Sequence, residues 1–513
     1  MKRDLSAHAA VYRVIEEAKR HAVPLLVYGW AQLVLLGWWA INFPAQLTAD
    51  STTYIRHVTV GPWIADHSVL YDFFILCSLK LTDNVWLIVF LQTIVYAVVL
   101  AVIAAAVHRM GVRWRWAALP CMLIVLVPSF GSFTSMLWKD VPFTAANLFF
   151  AATLLKVIAD RRARLPMTVR TTVIMAVELT AITLFRNNGF VVVAFIAIGL
   201  LIALKSSRRK VIAAVVATFV IFEFASIVVY PAAGIKSAGS SESYGVFYGD
   251  IALVYSERPS AFTAGELSTM KKVAPLKTWR SSNDCLSSDH LFASKHFSTD
   301  RAAAHRHQLA EIWFSLLKRA PEQLIRGHLC RAAIAWRVPP TWRFSGLPRV
   351  TNHNLYTKAL ILGYTNYPPL PSYLIPRLRP HPINKQLYLK AADSRRAIAR
   401  DPLLQLLFSR APGWTYLTYL AILIAAFRNR WKMLILAGLP LLANQLTVIA
   451  ANPAQLYRYT AAQLFLGMLF IPLVSAWSPQ RPAPPDEADP ADAPDPDRRP
   501  AVPAGPASPE PTQ

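Results

Sequence analysis

Four short polar stretches interrupt an otherwise apolar sequence and carry the residues able to do chemistry. The first, LTADSTTYIRHVTVGPWIADHSVLYDFF, holds Asp50, Arg56, His57, Asp66, His67 and Asp72. The second, SMLWKDVPF, supplies Lys139 and Asp140, and the third, FRNNGF, supplies Arg186, Asn187 and Asn188. The fourth, NPAQLYRYT, places Arg458 between Tyr457 and Tyr459. Carboxylates can accept protons, and lysine and arginine can hold an anion. If these stretches are connections on one side of a helical bundle, they share one depth and can converge on one site. Taken singly, each residue is as readily a solvated loop residue or an interfacial anchor, as Trp138 and the tyrosines can be. The set is more telling, because single cations recur at the water line.

The elements that would position them are membrane helices. Of 513 residues, 54% are hydrophobic and 16% charged, and the mean hydropathy is +0.35. The apolar residues are bunched into runs near the ~20 residues that cross a bilayer core. They predict about ten spans, at 23–43, 85–107, 117–134, 141–157, 171–185, 190–204, 211–233, 411–427, 433–451 and 460–477. The formal charge of +24 does not point to nucleic acid, because Lys and Arg cluster in short segments between the runs. With the N-terminus inside, the short inner segments hold 19 Lys and Arg and the outer ones 5, the asymmetry expected of cytoplasmic loops. The expected fold is an all-α polytopic membrane bundle in a bacterial inner membrane. Its parts are a cytoplasmic 1–22, a seven-span module 23–233, a mixed, mostly helical extracytoplasmic domain 234–410, and three spans in 411–477. The tail 478–513 holds 12 of the 37 prolines and reads as a disordered cytoplasmic end.

Segment 234–410 is basic, with 25 Lys and Arg against 11 Asp and Glu. Helical pattern runs from about Asp300 to Lys318, and a second helix is expected from Pro321 to about Arg337. Leu324, Ile325, Leu329, Ala332 and Trp336 form a stripe that either faces the domain core or lies on a membrane surface. Cys77, Cys121, Cys285 and Cys330 lack metal-ligand spacing. Cys285 and Cys330 share the extracytoplasmic segment, with unpaired thiols slightly favoured. No Walker loop or Gly-x-Ser-x-Gly elbow is present.

The order of spans, the Asp soon after the first, the Asp in the second outer loop and the large domain after the seventh resemble the GT-C superfamily of multi-pass glycosyltransferases. Asp50-Ser51, Asp66-His67, Trp138-Lys139-Asp140, Arg186-Asn187-Asn188-Gly189, Trp313 to Trp336 and Arg458-Tyr459 resemble a bacterial group of GT-C-like membrane proteins. One departure is Ser68, where that group usually has Pro. The resemblance implies transfer of a sugar from a polyprenyl-phosphate donor to a glycan, lipid or protein acceptor, with inversion. Asp50 would be the base, Asp140 would bind acceptor or position the base, and Asp66 would be the third acid. Lys139, Arg186 and Arg458 would hold the phosphate, aided by Asn187, Asn188 and His67. A divalent metal on Asp50, Asp66 and Asp140 is an open alternative, although no metal ligand is assigned. Two other readings stand beside this one. A transporter or flippase would use the intramembrane Glu178 and Glu223, and an envelope-assembly protein would need no catalysis.

Overall fold

The computed structural model describes residues 2–237, 244–292, 294–340 and 369–477, with side chains described from residue 21 onward. The tail 478–513 and part of the 234–410 segment lie outside these residues. The N-terminal half is a run of helices: α1 (Lys2–Ile41), α2 (Ala49–Thr59), α3 (Val69–Thr82), α4 (Trp86–Arg109) and α5 (Trp114–Ile124). It continues through α6 (Pro128–Thr134), α7 (Asp140–Arg162), α8 (Val169–Phe185), α9 (Gly189–Ala203) and α10 (Arg208–Phe224). Among the described residues β-structure is limited to isolated bridges.

Every expected apolar run is helical, but fewer are full spans. Among the described residues six helices are long and apolar enough to cross a membrane. They are His21–Ile41, α4, α7, Lys205–Ala232, Lys432–Ala451 and Tyr457–Ser475. The expected span 117–134 is broken, because α5 and α6 meet at 69°. Pro128 opens α6 and holds Val127 extended (φ −69°, ψ 123°), which a continuous helix cannot tolerate. Helices α8 and α9, at 17 and 15 residues, are shorter than the ~20 residues a full span needs. Helix α1 packs on α4, α4 on α7, α7 on α8 and α8 on α10. Outward, α10 exposes Ile212, Val216 and Val220, a surface suited to lipid rather than water.

The transporter reading turns on two acids, of which Glu178 keeps its buried Oε2 without a hydrogen-bond partner. Glu178 accepts a hydrogen bond from Thr153 Oγ1 at 2.7 Å, and Glu223 lies on the exposed side of α10.

Residues 244–340 form a second body with its own core, in which Tyr248, Ile251, Trp279, Leu309, Leu316 and Leu324 are buried together. Two expectations change here. The helix placed from Pro321 to Arg337 stops at Arg331 and resumes as Ala333–Trp336. Its stripe also divides: Leu324 and Ala332 are buried, whereas Ile325, Leu329 and Trp336 are exposed. The second correction is that Cys285 and Cys330 are disulfide-bonded, with Cα atoms 5.8 Å apart. Their separation of 45 residues hides this proximity, which arises because residues 286–288 and 330–331 grip the same connection, 452–455. Gln455 donates through its backbone to the Leu286 carbonyl at 3.0 Å and through Nε2 to the Cys330 carbonyl at 2.7 Å. Asn452 donates to the Arg331 carbonyl at 2.6 Å. The second body therefore sits at the end of the bundle that carries Arg458.

Candidate functional site

At that end of the bundle the first polar stretch is a pair of helices rather than a loop. Thr48 and Ser51 form a capping box at the start of α2, which satisfies amide groups that a helix N-terminus leaves open. Ser68 caps α3: its Oγ accepts from the Tyr71 amide at 3.1 Å and donates to the Leu184 carbonyl at 2.8 Å. The serine that departs from the resembled pattern thus ties α3 to the end of α8. The second stretch is laced to α2. Leu137 N donates to the Gln46 carbonyl at 3.1 Å, Ser51 Oγ to the Leu137 carbonyl at 2.9 Å, and Trp138 Nε1 to Thr48 Oγ1 at 2.7 Å.

This lacing brings two groups of charges together. One is built on arginines. Arg458 forms an ion pair with Asp50, and its guanidinium carbon lies 5.5 Å from the Trp138 ring and 5.1 Å from the Tyr459 ring. Arg186 lies over the other rings, 4.6 Å from Tyr459 and 5.2 Å from Phe143. Its Nε is 3.5 Å from an Asp140 carboxylate oxygen. Tyr459 is therefore shared by both guanidinium groups, a contact that aromatic faces favour. Asp140 is buried and neither of its oxygens has a hydrogen-bond partner.

The other group is built on histidines. His57, in the last turn of α2, places Nδ1 2.8 Å from Asp72 and Nε2 3.4 Å from Asp66. Lys139 Nζ lies 2.9 Å from His67 Nδ1. Burial, and then the Lys139 charge, push the His67 pKa well below its usual value, so the ring is neutral. With Lys139 as the ammonium donor, His67 carries its proton on Nε2. Burial also lowers the pKa of Lys139, against the opposing pull of Asp140 and Asp50. Burial raises Asp72 to about 6 despite its bond to His57, and burial also pushes the Asp66 carboxyl upward. Between the two groups stands Tyr54, whose buried hydroxyl has no hydrogen-bond partner. Burial and the Asp50 charge raise its pKa well above the usual phenol value, so it stays a donor.

The structure brings together Asp50, Asp66, Asp140, Lys139, Arg186, Arg458 and His67. The two asparagines have other places. Asn187 donates to the Asp66 carbonyl at 2.9 Å, so it supports the first stretch. Asn188 precedes α9 without a side-chain cap bond. Gly189 is needed for packing, since a Cβ there would stand 2.0 Å from the Ile182 carbonyl. A cavity of about 270 Å³ opens beside His67 and Asn187, with Leu184, Phe222, Tyr230 and Ile235 on its other walls. Among the described residues there is no group of three or more His, Cys, Asp or Glu able to hold a metal ion. The carboxylates of the alternative oxygen site are engaged separately, Asp50 with Arg458, Asp66 with His57 and Asp140 with Arg186. Sequence reading passed over His57, Asp72 and Tyr54 as site members. A signal existed for the pair: Ser68 before an apolar run, with Asp72 in its first turn, is a helix-start pattern, and that helix brings Asp72 back to His57.

A family described as "Family of unknown function (DUF6020)" matches residues 67–332. This chain belongs to DUF6020. The DUF6020 match takes in His67, Lys139, Asp140 and Arg186 together with both disulfide cysteines, whereas Asp50 and Arg458 lie outside its ends. No curated protein and no solved structure matches this DUF6020 chain.

Proposed function

We propose that this DUF6020 protein is a GT-C-type membrane glycosyltransferase, moving a sugar from a polyprenyl-phosphate carrier to an extracytoplasmic glycan, lipid or protein. In this reading the chain has about ten spans, both termini are cytoplasmic, and the disulfide-bonded body lies in the oxidising space outside, where such bonds persist. One observation carries the reading: a carboxylate on α2 shares a cluster with cations from three other connections. Asp50 takes the proton from the acceptor hydroxyl as that oxygen bonds to the anomeric carbon. The bond from that carbon to the phosphate oxygen breaks on the opposite side, and the phosphate leaves with the electron pair. Arg458, Arg186 and Lys139 then hold the released charge. Direct displacement with one base and no covalent intermediate inverts the anomeric centre. The cavity beside His67, where Asn187, Ser226 and Tyr230 stand among Leu184, Phe222 and Ile235, offers both polar and apolar contacts to a lipid-linked head group.

The test is purified protein in detergent with a polyprenyl-phosphate sugar and a panel of acceptors. Asp50→Asn is expected to lose about 10²- to 10⁴-fold in turnover while still binding the carrier. Near-normal turnover would move the base to Asp66 or Asp140. Failure of the wild type to bind any polyprenyl phosphate would remove the reading. Comparing envelope glycans and glycolipids by mass spectrometry, with and without the chain, identifies the product.

A further inference from the structure

The Pro321–Arg331 helix has two unlike sides. Leu324, Gly327 and Arg331 are buried in the second body, and a Cβ at Gly327 would lie 2.1 Å from Leu253 Cδ2. That fit prevents the helix from rotating. Its other side exposes Ile325 and Leu329, at 47% and 38% of their surface, positions four apart and so neighbours on one face. Trp336 extends the row: its Nε1 donates to the Leu329 carbonyl at 3.0 Å, laying the ring back toward Leu329. The Trp336 carbonyl in turn accepts from the Tyr416 hydroxyl at 2.6 Å. Tyr416 belongs to the helix Ala411–Arg428, which goes on to expose Leu417 and Leu420. Arg410, just before that helix, donates to the Ala333 and Arg337 carbonyls at 3.3 and 2.7 Å. The apolar row therefore runs without a break from the second body onto the outward surface of the bundle.

We propose that the C-terminal half of this helix rests in the bilayer interface, with Ile325, Leu329 and Trp336 in contact with phospholipid. Continuity decides the occupant. The row joins the exposed apolar side of Ala411–Arg428 (Leu417, Leu420 and Ile424), a helix packed on the membrane-spanning Tyr457–Ser475, and a Trp–Tyr pair marks the join, where membrane proteins place such rings. Glu322 and Arg326 are exposed beside Ile325 and Leu329, Arg326 paired with Glu257, and an apolar row flanked by charged side chains is the arrangement of a helix lying at the headgroup level. The opposite side of the helix holds the bundle. His328 Nε2 lies 2.9 Å from the Ile449 carbonyl, and the Cys330 and Arg331 carbonyls hold Gln455 and Asn452. The helix is thus a strut between the lipid surface and the connection that carries Arg458. This inference rests on the membrane-spanning helices and is independent of sugar transfer.

The experiment uses the full chain in phospholipid nanodiscs, with p-benzoylphenylalanine replacing Ile325 or Leu329. Ile212 on α10 serves as a lipid-facing control and Lys271, exposed on the second body, as a water-facing one. After illumination, intact mass is expected to show one added phospholipid at 325 and 329, at a yield near that of 212 and at least ~10-fold above 271. Yields at 325 and 329 no higher than at 271 would place the row in water and overturn the proposal. Cross-linking to a second polypeptide in place of lipid would also overturn it. Unchanged elution on size exclusion checks that each variant is folded.

Discussion

Two buried aspartates, one in each body of the molecule, are served very differently by their surroundings. Asp250 has partners on both oxygens: Arg331 at 2.6 Å on one, with His328 at 2.9 Å and Trp313 at 3.0 Å on the other. Asp140 has only the Arg186 Nε at 3.5 Å, beyond good hydrogen-bonding geometry, and no hydrogen bond on either oxygen. Asp66, by contrast, is met by His57 Nε2 at 3.4 Å and by backbone amides. A buried polar network with its members bonded rigidifies a fold, and an unbonded buried carboxylate is costly unless something else meets it. Asp250 joins three side chains of the second body, while the Asp140 oxygens have no hydrogen bond.

The comparison is broken most directly by removing each carboxylate. Asp250→Ala leaves the buried Arg331 guanidinium without its counter-charge, and we expect a loss of about 3–5 kcal/mol, read as a large drop in thermal midpoint in detergent. Asp140→Asn is expected to change the midpoint by less than about 1 kcal/mol equivalent, since no hydrogen bond is lost. An equal drop for both variants would mean that Asp140 is structural too.

A smaller effect sharpens the role of the cations. Arg186→Lys keeps the charge but loses the planar fork and its stacking on Tyr459, so binding of a polyprenyl-phosphate analogue should fall almost as far as in Arg186→Ala. We expect a loss of ~10-fold or more, equivalent to about 1.4 kcal/mol. Equal affinity of wild type and both variants would return Arg186 to anchoring the connection between α8 and α9.

The smallest effect is in pH, where the two bodies should respond in different windows. Burial alone would lower the His328 pKa, but its bond to Asp250 and that residue's charge raise it above the usual value. A raised histidine stabilises the fold fully below the unfolded pKa of about 6.5, and this contribution is lost as pH rises through the folded value. Asp72, raised to about 6, also favours its protonated form. Its contribution is full below the unfolded pKa of about 3.9 and disappears between there and about pH 6. Thermal midpoints across pH 4–9 for His328→Gln and Asp72→Asn, each minus wild type, should show the upper window in the first difference and the lower window in the second. A flat difference for either variant would show that its group does not titrate on unfolding.

Much of this was written locally in the sequence, and the remainder was not. Apolar runs announced the helices, but the unbroken run over 117–134 concealed the break that Pro128 makes between α5 and α6. Lone cations in short connections marked Lys139, Arg186 and Arg458, because a charge at a span end is visible by composition. Partners were another matter. Nothing near Asp50 in sequence points to Arg458, and nothing near Cys285 points to Cys330, since both pairings depend on how the second body seats on the last connection. The His57–Asp72 contact was hidden for a different reason: the polar stretch reads as a connection between spans, whereas it holds α2 and the start of α3 folded back on one another. The asparagines after Arg186 drew attention through their hydrogen-bonding capacity, yet one is consumed by the Asp66 carbonyl.

The ion pair between Asp50 and Arg458 spans 408 residues, and this has a consequence for how the protein is made. At ~5–20 residues per second, the ribosome needs roughly 20–80 s between the carboxylate and its partner. Throughout that interval Asp50 lacks its arginine, with Lys139 as the nearby cation, and Trp138 is made before the guanidinium it lies against. The cluster cannot close until Arg458 has been made and the connection before it is seated against the second body. A chain cut short anywhere before residue 458 therefore yields helices that can insert but a mouth that never assembles, so completeness of synthesis is built into the site itself.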